Sequence, residues 1–252
     1  MLRFILCVIV VVFDFIIMIP VEIIGFLIGL ISKKARGAYM KVMMEIIFSV
    51  VNFLSGARVK YIGFEKIPTD VPVLYVANHE SFFDVLLTLT KLPGTICFIA
   101  KKSFQKIPIF AQALQLYNTL FIDRDDIKQG LKTILQAIEN VKAGMSVFIF
   151  PEGTRSRDGK MNEFKEGSMK IAVKSGCPIV PIAISNSAAV FEKHFPRVVA
   201  SPVVIEILDP VIPSDYDAKQ QKHLGKLCRE RIEETRDKNL KEYCGCGYIS
   251  AE

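Results

Sequence analysis

His79 and Asp84, five residues apart, are a pair suited to moving a proton near neutral pH. Histidine is the side chain whose unperturbed pKa lies closest to neutrality. A carboxylate that reaches its ring fixes the tautomer and supports the charge that develops when the ring takes a proton. Over five residues that return needs a helical turn. His79 is one of only three histidines, and it stands just after the apolar run 73–77, in Asn78-His79-Glu80-Ser81-Phe82-Phe83-Asp84. Strand ends in α/β sheets are where reactive groups are presented. The plainer alternative is a structural histidine bonded to a neighbouring carboxylate.

A second cluster, Phe150-Pro151-Glu152-Gly153-Thr154-Arg155-Ser156, also closes an apolar run, 147–150. Gly153 and Thr154 offer backbone amides and a hydroxyl, and Arg155 offers a planar fork that matches phosphate oxygens in pairs. Arg157, Lys160 and Lys165 lie close by, so a solvated charge run is the competing reading. Phe121-Ile122-Asp123-Arg124 delivers another arginine from a strand end. Lys101-Lys102 follows the run 96–100, with either lysine able to face a site. Val180-Pro181-Ile182 reads first as core.

These residues need a scaffold. Six short runs rich in β-branched residues, 73–77, 96–100, 119–122, 147–150, 179–184 and 203–208, read as strands, most of them bounded by Pro, Gly, Asn or Asp. Between two of them, Ile127, Leu131, Ile134, Leu135, Ile138 and Val141 recur at helical spacing. Asp125 or Asp126 can cap that helix and Gly144 can close it. Leu224, Leu227, Cys228 and Ile232 mark a charged C-terminal helix with one packed side. Strands alternating with helices predict an α/β fold, with a central mostly mixed β-sheet flanked by helices.

Residues 4–31 are almost entirely apolar, interrupted by Asp14, Pro20 and Glu22. As a helix the stretch is about 40 Å long, against roughly 30 Å of bilayer hydrocarbon. It is too long for a secretory signal peptide and lacks a small-residue cleavage site. Two acids and a proline are costly within one span. Residues 36–54 follow, with Lys41, Glu45, Ser49 and Asn52 on one narrow face and apolar side chains around the rest. Lys33, Lys34 and Arg36 lie between the segments, placed to meet anionic headgroups. Either the first segment spans a bilayer, or both form a hairpin that dips into one leaflet. A hairpin inside a soluble core is the third reading, and it sits poorly with runs this apolar. If the first segment spans, the basic cluster leaves the rest of the chain in the cytoplasm. The expected organisation is a two-helix membrane anchor over 1–55, then a catalytic domain over 56–252 on the cytoplasmic face of a phospholipid bilayer.

Composition agrees. The 252 residues are 51% hydrophobic with mean hydropathy +0.34, and 32 Lys and Arg against 26 Asp and Glu give a formal charge of +6. A mildly basic balance suits anionic lipid or phosphate-bearing ligands. A nucleic-acid partner is not expected, since there is no long basic run, zinc-finger spacing or aromatic RNA-binding block. Cys244 and Cys246 lack the second pair or histidine that four-coordinate metal needs, so no metal is expected and the six cysteines read as reduced.

Taken in order, four blocks resemble the glycerolipid acyltransferases of the 1-acylglycerol-3-phosphate acyltransferase type. They are His79-x4-Asp84, Phe121-Ile122-Asp123-Arg124, Phe150 through Ser156, and Val180-Pro181-Ile182. The likeness covers roughly residues 57–210, and the N-terminal hydrophobic segments fit it too. Near Lys101 the family usually shows Glu-Leu, where this chain has Lys102-Ser103-Phe104.

The resemblance implies transfer of a fatty acyl chain from acyl-CoA or acyl carrier protein, a cosubstrate rather than a cofactor. The acceptor would be the sn-2 hydroxyl of 1-acylglycerol 3-phosphate (lysophosphatidic acid), and the product phosphatidic acid. It also implies His79 as general base and Asp84 as its orienting partner. Lys101, Arg124, Glu152, Gly153, Thr154 and Arg155 would hold the acceptor. No Gly-x-Ser-x-Gly elbow is present and Ser81 reads as a turn residue, which favours direct transfer over a covalent acyl-enzyme. Glycerol 3-phosphate and other lysophospholipids are alternative acceptors. A lipid hydrolase would need the missing nucleophile. A non-catalytic membrane-surface protein would leave His79, Asp84 and the arginine loops without a role.

Overall fold

The computed structural model describes residues 1–245. Two long helices come first, α1 (Leu2–Ile31) and α2 (Lys33–Ser55). They are joined at Ser32, whose extended backbone breaks the helical path and whose Oγ accepts a hydrogen bond from Ala35 N. The remainder runs β1 (Arg58–Ile62), β2 (Leu74–Ala77), α3 (Phe83–Leu89), β3 (Ile96–Lys101), α4 (Phe110–Leu116), β4 (Leu120–Ile122), α5 (Ile127–Lys142), β5 (Ser146–Ile149), α6 (Lys170–Ser175), β6 (Ile179–Ser185), β7 (Pro202–Ile207) and α7 (Leu224–Tyr243).

The seven strands form one mixed sheet in the order β1-β7-β6-β2-β5-β3-β4. Strands β2 to β6 are mutually parallel, and β7 runs antiparallel to β6. The loops that leave β2, β3, β4, β5 and β6 therefore gather along one edge. That edge holds every block singled out above as chemically capable.

Alternation along the strands divides the core in two. Tyr75, Phe98, Phe148, Val180 and Ile182 face one side, where α1 to α4 pack; Val76, Cys97, Val147, Ile149 and Ile179 face the other, where α5, α6 and α7 pack. Burial pushes the Cys97 thiol up to about 11 and the Cys228 thiol up to about 12, so both behave as core side chains. Cys244 is buried with its Sγ 3.8 Å from Pro202 O. The question of a Cys244–Cys246 pair lies outside the described residues. Among them, no three His, Cys, Asp or Glu side chains converge as metal ligands.

All six expected strands are present, and β1 is an addition. Its Arg58 and Lys60 alternate with Val59 and Tyr61 on a half-exposed edge, so no apolar run announces it. The helical stripe in α5 is only partly buried: Ile134, Ile138 and Val141 pack, while Ile127, Leu131 and Leu135 are exposed. Asp126 supplies the cap, accepting from Gln129 N.

α1 and α2 are long and apolar enough to cross a membrane, and only 17% and 22% of their most apolar 18-residue stretches are buried. Most of their apolar surface faces outward, which suits contact with a bilayer. The polar face of α2 turns inward. Lys41 Nζ donates to Leu92 O (2.9 Å) and Asn52 Nδ2 to Leu86 O (3.2 Å), satisfying carbonyls at and beyond the end of α3. Arg36, expected among the headgroups, donates instead to Asn118 Oδ1 (2.9 Å), while Lys33 and Lys34 stay exposed.

The helices are also part of the catalytic domain's core. Met18, Val21, Met40, Met44 and Val51 share a cluster with Leu87, Leu114 and Tyr75. α2 ends at Ser55, with Gly56 in the left-handed region, and that end does not separate two independent cores. A chain beginning at residue 56 should lose the cover over α3 and α4 and aggregate, or melt without cooperativity, in calorimetry without detergent. A soluble fragment with a sharp transition would show that the sheet stands alone.

Candidate active site

β2 lies between β6 and β5, so the loop that leaves it sits at the middle of the functional edge. Asn78 extends the pairing with its side chain. Its Nδ2 donates to Ile184 O and its Oδ1 accepts from Ile184 N, both at 2.8 Å. The chain then turns into α3, and Asp84 in the first helical turn comes back to the histidine.

His79 Nδ1 lies 2.8 Å from Asp84 Oδ2. The same oxygen accepts from Glu80 N (2.7 Å) and Ser81 N (2.8 Å). With two amides already donating to it, Oδ2 is an acceptor, so the proton of the third contact sits on Nδ1. Nε2 is left with its lone pair, and it takes no hydrogen bond among the described residues. Asp84 is fully buried and the His79 side chain is 16% exposed. The ring stacks on Phe150, with centroids 4.0 Å apart and planes 12° from parallel. One nitrogen is thus held and the other is free to work.

The Pro151–Ser156 loop, residues 151–156, is bound to this turn. His79 N donates to Glu152 Oε1 (2.7 Å), and Ser156 N donates to His79 O (2.8 Å). The other oxygen of Glu152 accepts from Asn162 N and Nδ2. Burial pushes the Glu152 carboxyl up, opposed by these amides. Glu152 was expected in the acceptor-holding set; both its oxygens are occupied within the protein, so it braces the two loops together.

The cations fall into two groups. Arg124 and Gly153 line a cavity of about 330 Å³ with Lys165, Phe150, Ile127 and Leu131. Arg124 has no hydrogen-bonded or ion-paired partner among the described residues, and burial pushes its pKa down. Arg155 lines a different cavity of about 630 Å³ with Glu80, Phe82, Arg157, Phe191 and Phe195. Its Nη1 donates to Glu192 Oε1 (3.0 Å) and its guanidinium lies over the Phe82 ring at 3.7 Å. Phe150, which lines the first cavity, stacks on the imidazole, and Glu80, which lines the second, is the next residue in the chain; His79 itself lines neither cavity. Lys102 pairs with Asp123 (3.0 Å), which leaves exposed Lys101 the less engaged of the two lysines. Thr154 is exposed and Lys101 and Thr154 line neither cavity.

Glu192 was not visible in the sequence, yet it ties the site together. It accepts from Ser81 Oγ (2.6 Å), Phe82 N (2.8 Å) and Arg155 Nη1. A single glutamate 37 to 111 residues from its partners carries no local signal. Phe150 could have been found, as an aromatic at a strand end beside the Glu-Gly-Thr-Arg run.

Glu80 is a second buried carboxylate beside the pair. Neither of its oxygens is hydrogen-bonded among the described residues, and Arg236 Nη1 of α7 lies 4.0 Å away. Burial, with Asp84 and Glu152 nearby, pushes its pKa up to about 8, against the charges of Arg236 and Lys193. An acid whose pKa rises on folding contributes stability that is fully present below the unfolded value. That contribution is lost as pH climbs toward the folded one. Between pH 4.5 and 8 the wild type should lose stability relative to Glu80→Gln, which cannot titrate. Melting curves of both proteins across that window test this; a constant difference would mean that Glu80 does not titrate there.

Comparisons with known proteins agree with this geometry. Residues 58–185 match the Acyltransferase family. The chain is 31% identical to the 1-acyl-sn-glycerol-3-phosphate acyltransferase of Escherichia coli strain K12 over 172 residues, 66% of this chain and 69% of that one. With a chloroplastic 1-acyl-sn-glycerol-3-phosphate acyltransferase of Brassica napus the identity is 39% over 129 residues, 51% of this chain. The chain spans 37% of the Brassica napus relative's length and 65% of that of a Salmonella typhimurium relative, which is 32% identical over 64% of this chain. The crystal structure of the 1-acyl-sn-glycerophosphate acyltransferase PlsC from Thermotoga maritima superposes with a TM-score of 0.80 at 27% identity, over 96% of this chain and 95% of that one. On sequence and fold together, with a His-x4-Asp pair at the end of the central strand, the chain belongs to the acyltransferase family that includes the 1-acyl-sn-glycerol-3-phosphate acyltransferases.

Proposed function

We propose that the protein transfers a fatty acyl chain from acyl-CoA or acyl carrier protein to the sn-2 hydroxyl of 1-acylglycerol 3-phosphate, forming phosphatidic acid. The observation that carries this reading is the His79–Asp84 pair, whose Nδ1 is fixed by a buried carboxylate and whose Nε2 is open. Nε2 takes the acceptor's hydroxyl proton as the oxygen attacks the thioester carbonyl carbon. Asp84 supports the imidazolium that forms. Collapse of the tetrahedral adduct breaks the C–S bond, and the thiolate leaves with the proton from the imidazolium. The products are an ester and a free thiol, so no resident metal or organic cofactor enters the scheme.

Hydrolysis through a serine nucleophile finds less support. Ser81, the serine nearest the histidine in sequence, donates its Oγ proton to Glu192 Oε2 and accepts from Phe83 N, which spends the hydroxyl on the turn. α1 and α2 fit a role as the bilayer anchor, with the catalytic domain on the cytoplasmic face, since a lipid acceptor must be reached from the membrane surface. Of the two cation groups, Arg155 suits the acceptor's phosphate, because its cavity borders Glu80 next to the base. Lys101, Thr154 and the Gly153 amide are further candidates at the same edge. Arg124 with Lys165 suits a second anionic group, such as the phosphate of a phosphopantetheine donor.

His79→Ala should lower kcat by about 10²–10⁴-fold with folding unchanged. A folded variant with near-normal transfer would sink the mechanism. Arg155→Ala should lose most of the preference for 1-acylglycerol 3-phosphate over a monoacylglycerol, and Arg155→Lys should retain only part of it, since lysine keeps the charge without the fork. Rates on the two acceptors decide this. A preference that survives Arg155→Ala but falls in Arg124→Ala would move the phosphate to the other cavity.

A further inference from the structure

A row of phenylalanine rings leads from the start of α1 to the mouth of the cavity at Arg155. Phe4 of α1 stacks on Phe191 at 6.0 Å and 12°, and Phe191 meets Phe195 edge-on at 5.5 Å. Phe195 is 71% exposed although it meets Phe191, and Phe82, which lines the same cavity, is 49% exposed. Cations surround these rings. Arg155, Arg157 and Lys193 line the cavity with them, and Arg197 is exposed just beyond Phe195 and Pro196. The carboxylates nearby are internally engaged or buried: Glu192 holds Arg155, and Glu80 lies under the mouth. Aromatic rings interleaved with exposed cations are the composition found where protein meets the headgroup layer, the rings seated at the acyl boundary and the cations on phosphate. Here that composition is continuous, through Phe4, with a helix whose outer face is apolar.

We propose that the segment 191–197, together with Phe82, is a second bilayer contact, separate from α1 and α2, that seats the mouth of the Arg155 cavity on an anionic phospholipid surface. This rests on the acyl-transfer reading only for the purpose of the contact, which is to let a lysophospholipid slide from the leaflet to the base without crossing water. The ring row supplies an apolar path for the tail, and the cations form a collar for the headgroup.

The chain has no tryptophan, so Phe195→Trp gives it a single fluorophore at an exposed position. The full-length variant is reconstituted into phosphatidylglycerol vesicles with or without brominated acyl chains, alongside Glu234→Trp, an exposed site on α7. In Phe195→Trp, brominated lipid should quench the emission by about half or more and the spectrum should shift to the blue, as expected of an indole at the interface. Water-like emission quenched no more than in Glu234→Trp overturns the proposal. Phe195→Asp should also lower the ratio of transfer onto vesicle-embedded acceptor to transfer onto a short-chain soluble acceptor by about fivefold or more. An unchanged ratio, or an effect confined to the donor's KM, would assign this mouth to the donor and overturn the bilayer contact. If the wild type acylates neither acceptor, the acyl-transfer reading fails, and the quenching result still judges the surface by itself.

Discussion

One carboxylate oxygen, Asp84 Oδ2, takes three hydrogen bonds from within six residues of chain: two backbone amides and the imidazole. The geometry closes only if the turn between His79 and Asp84 is helical and the aspartate sits in the first turn of α3. There its charge also meets the exposed amides at the start of a helix. The amides orient the carboxylate before the imidazole arrives, so the ring's tautomer follows from the backbone conformation. Strand β2 must therefore end where it does, and α3 must begin four residues after His79. The Asn78 amide, paired with Ile184 on the neighbouring strand, fixes the first condition. The Glu192 carboxylate, holding Ser81 and Phe82, fixes the second.

The helix pair at the N-terminus inverts the usual arrangement. In a water-soluble domain the polar stripe of an amphipathic helix faces out. Here Lys41 and Asn52 of α2 point at carbonyls of the α3 region, and Tyr61 of β1 caps another at Leu87 O (3.0 Å), while Val42, Ile46, Val50 and Phe53 face outward. Water could satisfy those carbonyls at an exposed surface; hydrocarbon could not. Internal capping by α2 is what an apolar surrounding demands. It also ties α3, and so Asp84, to the helices that would carry the protein on a bilayer.

What was legible in the sequence follows from how local each signal is. The central strands read clearly because both faces of the sheet are covered and each strand is a short continuous apolar run. β1 escaped because a half-exposed edge strand with alternating cations has no such run. The His79–Asp84 pair was legible because its geometry is set within one turn. Glu152 was expected to hold the acceptor and takes hydrogen bonds from His79 N and Asn162, contacts that residue type alone does not announce. Arg124 and Arg155 looked like one phosphate site because both leave parallel strands at the same edge. Their separation into two cavities depends on which way each side chain leaves the edge, and no spacing encodes that. Glu192 depends wholly on the long return from β6, so nothing near it in sequence could reveal it.

The division of the cations bears on how two anionic substrates could share one base. A thioester donor and a phospholipid acceptor each carry phosphate, so a single arginine cluster would bind either and would need the first to leave before the second arrived. Two separate clusters would allow both to be held at once, with the hydroxyl and the thioester brought together at Nε2. The Phe150 ring is stacked on the imidazole, and Phe150 lines one of the two cavities. The Arg155 cavity is lined by Phe191, whose ring stacks on Phe4 of α1. The other is lined by Ile127, Leu131 and Ile134 of α5, of which Ile127 and Leu131 are exposed. Under the proposed transfer the imidazole, which lines neither cavity, is the point where a substrate held in one and a thioester held in the other would meet.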